Sequence, residues 1–469
     1  MSRDADVFDF VVIGSGPAGE KAAAHAVYFG KRVAVVEQSE QVGGAPVGTA
    51  GVPTKTLRET ALYLTSFRRA DVYGVGLHLD PGRISDLARR RNDDVRATMI
   101  ARVRENLERH GVEIVHGTAR LGRDQTVLVR ATDGSERVLR GRAILIATGS
   151  VPFHPPAIPT DDPDILDSDS VVGALDRVDS LLIVGAGPIG CEYASIFAAL
   201  GTGVTVVDGG DRLLRMADPE ISEQLRLAFE QMGVELRLSS AVGGVARGPD
   251  GLEVTLTRGE VLRTQRVLVA SGRAGSTGEL GLEDAGIDVD AKGRIVVDNC
   301  FQTTAPRVFA AGDVVGPPAL ASAAMEQGRL AASHAFDTPY WNQRVSTPAM
   351  GVYSIPEVGM AGLTEKEAEE QGIDYEVGRA HFSRNTRATI AGATDGIVKL
   401  VFRRDDRRLL GVHIVGETAA EMVHIGQAVL QHGGNIDYFV HNTFNVPTWS
   451  EAYQYAAFDG LGRVEAPTP

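Results

Sequence analysis

The sequence predicts an α/β chain with two Rossmann-like dinucleotide-binding domains and a C-terminal α+β domain. Three observations carry this expectation. A strand–glycine turn–helix–strand unit opens the chain, and the same unit recurs near residue 181. After about residue 346 the pattern changes to that of a hairpin and an amphipathic helix.

The first unit is "DFVVIGSGPAGEKAAAHAVYFGKRVAVVEQ", Asp9 to Gln38. An apolar strand, Phe10 to Ile13, enters Gly14-Ser-Gly16-Pro-Ala-Gly19, and an Ala-rich helix leads to a second strand, Val33 to Val36, before Glu37. Gly14 suits a tight turn, Gly16 lets backbone approach a diphosphate, and Gly19 lets helix and strand pack closely. The helix N-terminus offers N–H groups and a positive dipole to phosphate. Glu37 stands where a carboxylate accepts hydrogen bonds from a ribose diol.

The second unit, "SLLIVGAGPIGCEYASIFAALGTGVTVVDGG", repeats each part. A strand at 181–184 precedes Gly185, Gly187 and Gly190, and a strand at 204–207 ends at Asp208. Two such units imply two dinucleotides and electron transfer between them. Three apolar strands run into small-residue turns: "AILIATGS" with Gly149, "VLVASGRAGS" with Gly272, and "VFAAGDVVG" with Gly312-Asp313. Strands that end this way bring backbone to a ligand at the carboxyl edge of a sheet.

In the C-terminal region, "GIVKLVFRRDDRRLLGVHIVG" reads as a hairpin whose charges, Arg403 to Arg408, make a solvated turn. "TAAEMVHIGQAVLQHG" reads as an amphipathic helix. The whole chain has 469 residues, 43% apolar and 23% charged, the balance of an ordinary globular protein. A net charge of −14 argues against a nucleic-acid partner. No apolar run approaches the ~18–20 residues that span a bilayer, so no membrane partner is expected. The N-terminus runs directly into a strand, which reads as the absence of a signal peptide. Two cysteines, Cys191 and Cys300, exclude a disulfide framework, fit a cytoplasmic location, and read as small packing residues.

This order of parts resembles the pyridine nucleotide–disulfide oxidoreductase family over essentially the whole chain. The resemblance implies an FAD-binding domain at 1–152 and 277–345, an NAD(P)H-binding domain at 153–276, and a homodimerisation domain at 346–469. Asp313 in "AAGDV" matches the family's flavin-ribitol aspartate, Lys55 in "VPTKTL" the lysine near flavin N5, and Glu192 the lysine's usual partner. Such a pair would stabilise reduced flavin and position nicotinamide. Within the family, "GVPTKTLRETALYLTSF", "ASIFAALGTGVTVVD", "ALASAAMEQGRLAASHAF" and "FNVPTWSEAY" look most like the soluble pyridine-nucleotide transhydrogenases.

The chain departs from the family pattern at three positions. The two dithiol cysteines, counted from the paired glycines Gly43-Gly44, are replaced by Pro46 and Gly51. The C-terminal His-Pro-Thr-x-x-Glu reads Val446-Pro-Thr-Trp-Ser-Glu451, so only Glu451 is left of the acid–base pair. Thiol exchange needs a thiolate and a tuned acid or base, and neither Pro46, Gly51 nor Val446 can serve. His441 is a remote substitute base. Gly48, Gly51, Pro46 and Pro53 weaken a helix, so the helix is expected to start near Thr54.

Three functions compete. One is an FAD-dependent transhydrogenase passing hydride from NAD(P)H to a second nucleotide. The second is an NADH-dependent diaphorase, quinone reductase or biosynthetic flavoenzyme acting on a small aromatic acceptor beside Val446 and Trp449. The third is a catalytically silent flavoprotein. Among donors, NAD(H) is expected over NADP(H), because Asp208 would face a 2′-phosphate with like charge; Arg212 is a candidate shield for that phosphate.

Overall fold

The computed structural model describes residues 6–65, 74, 81–174, 178–339 and 347–465. They divide into two compact units. The first comprises Met1–Thr56, Arg89–Phe153 and Gly272–Gln343, and the second Leu57–Ala88, His154–Ser271 and Arg344–Pro469.

In the first unit the opening strand, Asp6–Ile13, starts four residues before Phe10, where the sequence pattern placed it. It lies between strands Val33–Glu37 and Glu136–Ile146, parallel to both, with Val11 opposite Ala34 and Ile144. Strand Glu113–His116 extends the parallel edge. Strands Thr126–Arg130 and Thr118–Leu121 turn the other edge antiparallel, and Val308–Ala310 adds in parallel to Glu136–Ile146. "VAVVE" is buried at all five positions, as expected of a parallel strand covered on both faces.

The Ala-rich helix Pro17–Tyr28 buries Ala22, Ala23 and Ala26 completely. Small side chains let helix Ala321–Phe336 approach closely: a Cβ on Gly328 would lie 2.2 Å from Ala18 O. The long helix Pro81–Arg109 crosses from one unit to the other along the chain. Its Val103 and Leu107 join Val42 and Val47 in the core beneath the first strand pair.

The helix after the paired glycines does not wait for Thr54. A short helical turn spans Ala45–Gly48, and a second helix runs Gly51–Thr65. The expectation erred by charging interior costs to first-turn positions. Pro46 sits at the start of its turn and Pro53 in the first turn of the next, where a helix needs no N–H donor.

The second unit holds a five-stranded parallel sheet in the order Glu235–Arg237, Gly203–Val207, Ser180–Val184, Arg266–Val269, Ile165–Asp167. A three-stranded antiparallel meander, Val242–Gly248, Gly251–Leu256 and Val261–Thr264, accompanies it. The hairpin read at Ile397–Arg403 and Leu409–Gly416 pairs antiparallel and forms the centre of a five-stranded sheet. Helices Ala419–Gln431 and Glu451–Glu465 pack on that sheet. The first is the amphipathic helix of the sequence pattern.

Lys399, fully buried in this hairpin, lies in a ring of carboxylates. Its Nζ is 2.7 Å from Asp218 Oδ1 and 3.0 Å from Glu220 Oε2, and it also contacts Glu365. Asp218 and Glu220 begin helix Pro219–Gln231 of the parallel-sheet half, so the ammonium ties that half to the antiparallel sheet. Burial alone would lower the Lys399 pKa, but its carboxylate partners hold it above the ordinary value. No helix among the described residues is long and apolar enough to cross a membrane.

Candidate functional site

The first cradle is built by backbone that tolerates no side chains. Gly14 has φ +102°, and a Cβ there would meet Ala147 O at 2.4 Å. A Cβ on Gly19 would lie 1.9 Å from Gly14 O. Gly16 occupies the N-cap of helix Pro17–Tyr28 and has no side chain to cap it, an arrangement suited to an anion at the helix start. Gly44, at φ +64°, roofs this point: its Cβ would be 2.8 Å from Gly16 Cα.

Glu37 is buried at the end of its strand. Its Oε2 accepts from Ser15 N at 2.9 Å and Ser15 Oγ at 2.6 Å, and its Oε1 accepts from Ser39 N at 2.9 Å. Gly43 N donates to Ser15 Oγ at 3.0 Å, tying the paired-glycine loop to the motif. The glycine geometry and the uncapped helix fit a diphosphate-bearing dinucleotide such as FAD.

Three of the small-residue turns converge in the same unit. Ser150 Oγ donates to Asp313 Oδ2 at 3.1 Å and accepts from Arg273 Nε at 2.8 Å, while Arg273 Nη2 donates to Ser150 O at 2.7 Å. Gly149 and Gly272 both have positive φ and no neighbour within 4 Å of a built Cβ. Lys55 is half-buried on helix Gly51–Thr65, also in the first unit.

The second cradle repeats the wiring. Gly185 has φ +116° and a Cβ distance of 2.4 Å to Ala270 O; Gly190 repeats the 1.9 Å approach to Gly185 O. Asp208 Oδ2 accepts from Ala186 N at 2.8 Å and Oδ1 from Gly210 N at 2.6 Å. A Cβ on Gly187 would meet nothing within 4 Å, whereas one on Gly16 would meet Gly44 Cα at 3.9 Å. Arg212 Nη2 donates to Arg215 O at 2.9 Å, and its buried Nε has no partner.

Glu192, 6% exposed on helix Pro188–Ala199, accepts from Tyr353 N at 2.9 Å. One turn on, Ser195 Oγ accepts from Ile355 N at 3.0 Å. The motif helix thus grips residues 353–355 by their backbone. Arg58 holds the same segment through Ser354 O, at 3.1 Å, and pairs with Glu357 at 3.1 Å. Lys55 and Glu192 belong to different compact units.

Glu451 opens the helix Glu451–Glu465, buried, with Oε1 accepting from Tyr455 OH at 2.7 Å and Oε2 unpartnered. That hydrogen bond raises the Tyr455 phenol above its ordinary pKa. Tyr455 was missed from sequence, although its spacing of four residues from Glu451 on a helix could have flagged it. Tyr353 and Ser195 had no such local signal. Val446 is 60% exposed, and the Trp449 ring lies 5.1 Å from that of Phe382. Thr448, Trp449 and Ser450 line an open cleft of about 360 Å³ with Arg387, Thr418 and Glu421.

His441 is exposed at the end of a short helix. Cys191 is fully buried, and burial pushes its thiol far above the ordinary pKa. Cys300 departs from the packing role expected of it. It is half-buried in a turn whose backbone bonds to Asp298, because the turn leaves no core position there.

The family model for pyridine nucleotide-disulphide oxidoreductases matches residues 8–328, and that for the family's dimerisation domain matches 348–457. A soluble pyridine nucleotide transhydrogenase of Mycobacterium bovis is 43% identical over 461 residues, covering 98% of each chain. One from Shigella boydii is 38% identical, covering 97% of this chain and 98% of its own. Among solved structures, LpdA from Mycobacterium tuberculosis superposes with a TM-score of 0.89 at 27% identity, covering 98% of this chain and all of its own. The HOCl-induced flavoprotein disulfide reductase RclA from Escherichia coli gives 0.86 at 27%, covering 96% and 99%. With both cradles formed and both family models matched, the chain belongs to the pyridine nucleotide–disulphide oxidoreductase family and is an FAD- and NAD(P)H-dependent oxidoreductase.

Proposed function

We propose that this chain is a transhydrogenase-type enzyme that takes hydride from one nicotinamide dinucleotide and passes it, through FAD, to another, without thiol chemistry. The observation that carries this reading is the contrast between two complete cradles and a dithiol segment occupied by Pro46 and Gly51. The likeness to transhydrogenases along the whole chain supports it.

Gly14, Gly16, Gly19, Glu37 and Gly44 would hold FAD, with Gly149, Gly272 and Asp313 near its ribityl chain. FAD, when bound, supplies a two-electron hydride acceptor and donor. Lys55 would contribute a positive charge beside the flavin and so favour its reduced form. Glu192 fixes the 353–355 backbone. Gly185, Gly187, Gly190 and Asp208 hold the nicotinamide dinucleotide. An enzyme of this type must admit both NAD(H) and NADP(H). Asp208 offers a 2′-hydroxyl two acceptor oxygens, and Arg212 offers a 2′-phosphate an unfilled donor. Glu451, polarised against Tyr455, stays on the acceptor side with Val446 and Trp449.

The domain limits proposed with this reading are FAD-binding at 1–152 and 277–345, NAD(P)H-binding at 153–276 and dimerisation at 346–469. The working state is a homodimer in the cytoplasm. Exposed Tyr438, Val446, Tyr455 and Phe458 give the C-terminal half an apolar surface for a second copy.

A second reading, a diaphorase reducing a small aromatic acceptor, is favoured by the cleft beside Trp449 and the exposed Val446. An anaerobic screen of NADH with thio-NADP⁺ against NADH with quinones separates the two. Turnover with thio-NADP⁺ at rates matching flavin reduction is expected. Turnover with quinones alone would replace the first reading by the second, and dihydrolipoamide activity would overturn both.

A further inference from the structure

The long helix Pro81–Arg109 buries a stripe at Ala88, Asn92, Val103 and Leu107. Met99 and Ile100 lie half-buried along the same stripe, against a core that contains Val42 and Val47. Helical spacing makes Asn92 a position for a leucine. It is an amide instead, 3% exposed, and neither Oδ1 nor Nδ2 has a partner. A buried amide with both groups unpaired is costly unless something else completes it.

One turn on, Arg96 shows the same deficit. Its Nη2 donates to Gln41 Oε1 at 3.2 Å, while its buried Nε has no partner. Gln41 belongs to the loop that reaches Ser15 through Gly43 and roofs Gly16 with Gly44. Arg96, through Gln41, therefore borders the loop of the first cradle, and the unfilled amide of Asn92 lies one helical turn before it.

The charge balance there calls for a cation. Glu20, in the first turn of the motif helix, has its carboxylate taken by Lys21 Nζ at 2.7 Å and Asn106 Nδ2 at 2.6 Å, which commits that lysine. Glu37 adds a second buried carboxylate. A dinucleotide's diphosphate brings further negative charge, and a helix dipole offsets only part of it.

We propose that Asn92 and Arg96 extend the first cradle and donate to the diphosphate of FAD. Arg96 supplies charge and Asn92 a neutral donor beside it. The inference rests on FAD occupying this cradle and is independent of the acceptor's identity.

The test uses the holoenzyme. FAD release after dilution is followed by recovery of free-flavin fluorescence at rising KCl, and chain unfolding separately by far-UV circular dichroism. Arg96→Gln is expected to speed release about tenfold or more, the value of a charge-assisted hydrogen bond, and to flatten the salt dependence. Arg96→Lys should fall between. Asn92→Leu should speed release several-fold without lowering the unfolding midpoint, because it also removes an unpaired buried amide. Release rates within about twofold of the parent in both Arg96→Gln and Asn92→Leu would overturn the proposal. So would faster release that tracks a lower unfolding midpoint, which assigns both groups to the fold alone.

Discussion

The two dinucleotide cradles are wired alike and enclosed differently. In each, an acid at the end of the second strand accepts the N–H of the residue after the first glycine: Ser15 to Glu37, Ala186 to Asp208. In each, the third glycine lets the helix come within 1.9 Å, Cβ to oxygen, of the first. But a Cβ on Gly44 would lie 2.8 Å from Gly16 Cα, whereas a Cβ on Gly187 would meet nothing within 4 Å. Glu37 also gains Ser15 Oγ and Ser39 N as donors, and the loop it organises closes over the motif. The same local code thus frames both sites, and under the proposed function it would serve a cofactor that stays and one that leaves each turnover. The difference lies in what the chain folds over the motif, not in the motif.

Equal methyl groups at the two helix crossings test this most severely. Gly19→Ala and Gly190→Ala meet the same backbone clash, of the order of 1–3 kcal/mol or more. Gly19→Ala is expected to yield protein depleted of flavin. Gly190→Ala should keep its yellow colour yet fail to bleach with NADH in stopped flow. Equal flavin loss in both would erase the distinction.

Next in size is Lys399→Met, which leaves the buried Asp218 without its cation, while Arg379 still pairs with Glu220 and Glu365. Breaking a buried pair costs about 3–5 kcal/mol. Urea unfolding followed by circular dichroism should shift to lower denaturant, while flavin release measured by fluorescence moves less. An unchanged midpoint would show that the ring contributes nothing to the second unit.

Acid should act on that unit in two stages. Burial holds the His413 imidazole below its ordinary pKa, against the opposing pull of the Asp218 carboxylate. A folded value below the unfolded one makes its contribution complete above about pH 6.5 and progressively lost as pH falls further, at no more than about 1.4 kcal/mol per unit for one proton. Burial raises the Asp218 pKa, but Lys399 more than reverses this and holds it below the carboxylate range. Its contribution is therefore lost only under stronger acid, below about pH 4. His413→Gln should flatten the first stage in a pH series of urea midpoints and leave the second.

The smallest effect is expected from Asp208→Asn, which keeps much of the hydrogen bonding and removes the charge facing a 2′-phosphate. NADPH should gain about 1 kcal/mol relative to NADH, roughly fivefold, in stopped-flow affinities. An unchanged ratio would mean that Arg212 already neutralises the site.

Much of this architecture was legible in the sequence because it rests on local rules. Gly14, Gly16 and Gly19 with Glu37, and their counterparts with Asp208, encode turn, approach and acceptor within thirty residues or so. The hairpin around Arg403–Arg408 and the helix Ala419–Gln431 were readable from periodicity alone. What stayed hidden depends on distant chain. Gly44 over Gly16, Tyr353 on Glu192 and Lys399 among three carboxylates join residues whose separation carries no spacing signal. The helix start after Gly44 was misplaced for a different reason. Pro46 and Pro53 look like helix breakers by composition, but both stand in first turns, where proline is tolerated.

The carboxylate ring around Lys399 also makes that side chain a built-in clock. Amine-reactive acylating reagents modify only neutral, accessible amines, and this one is kept charged and covered. Acylation of Lys399, followed by mass spectrometry against the exposed Lys366, therefore counts openings of the second unit. The enzyme records its own breathing at a single atom, without any label having to be introduced.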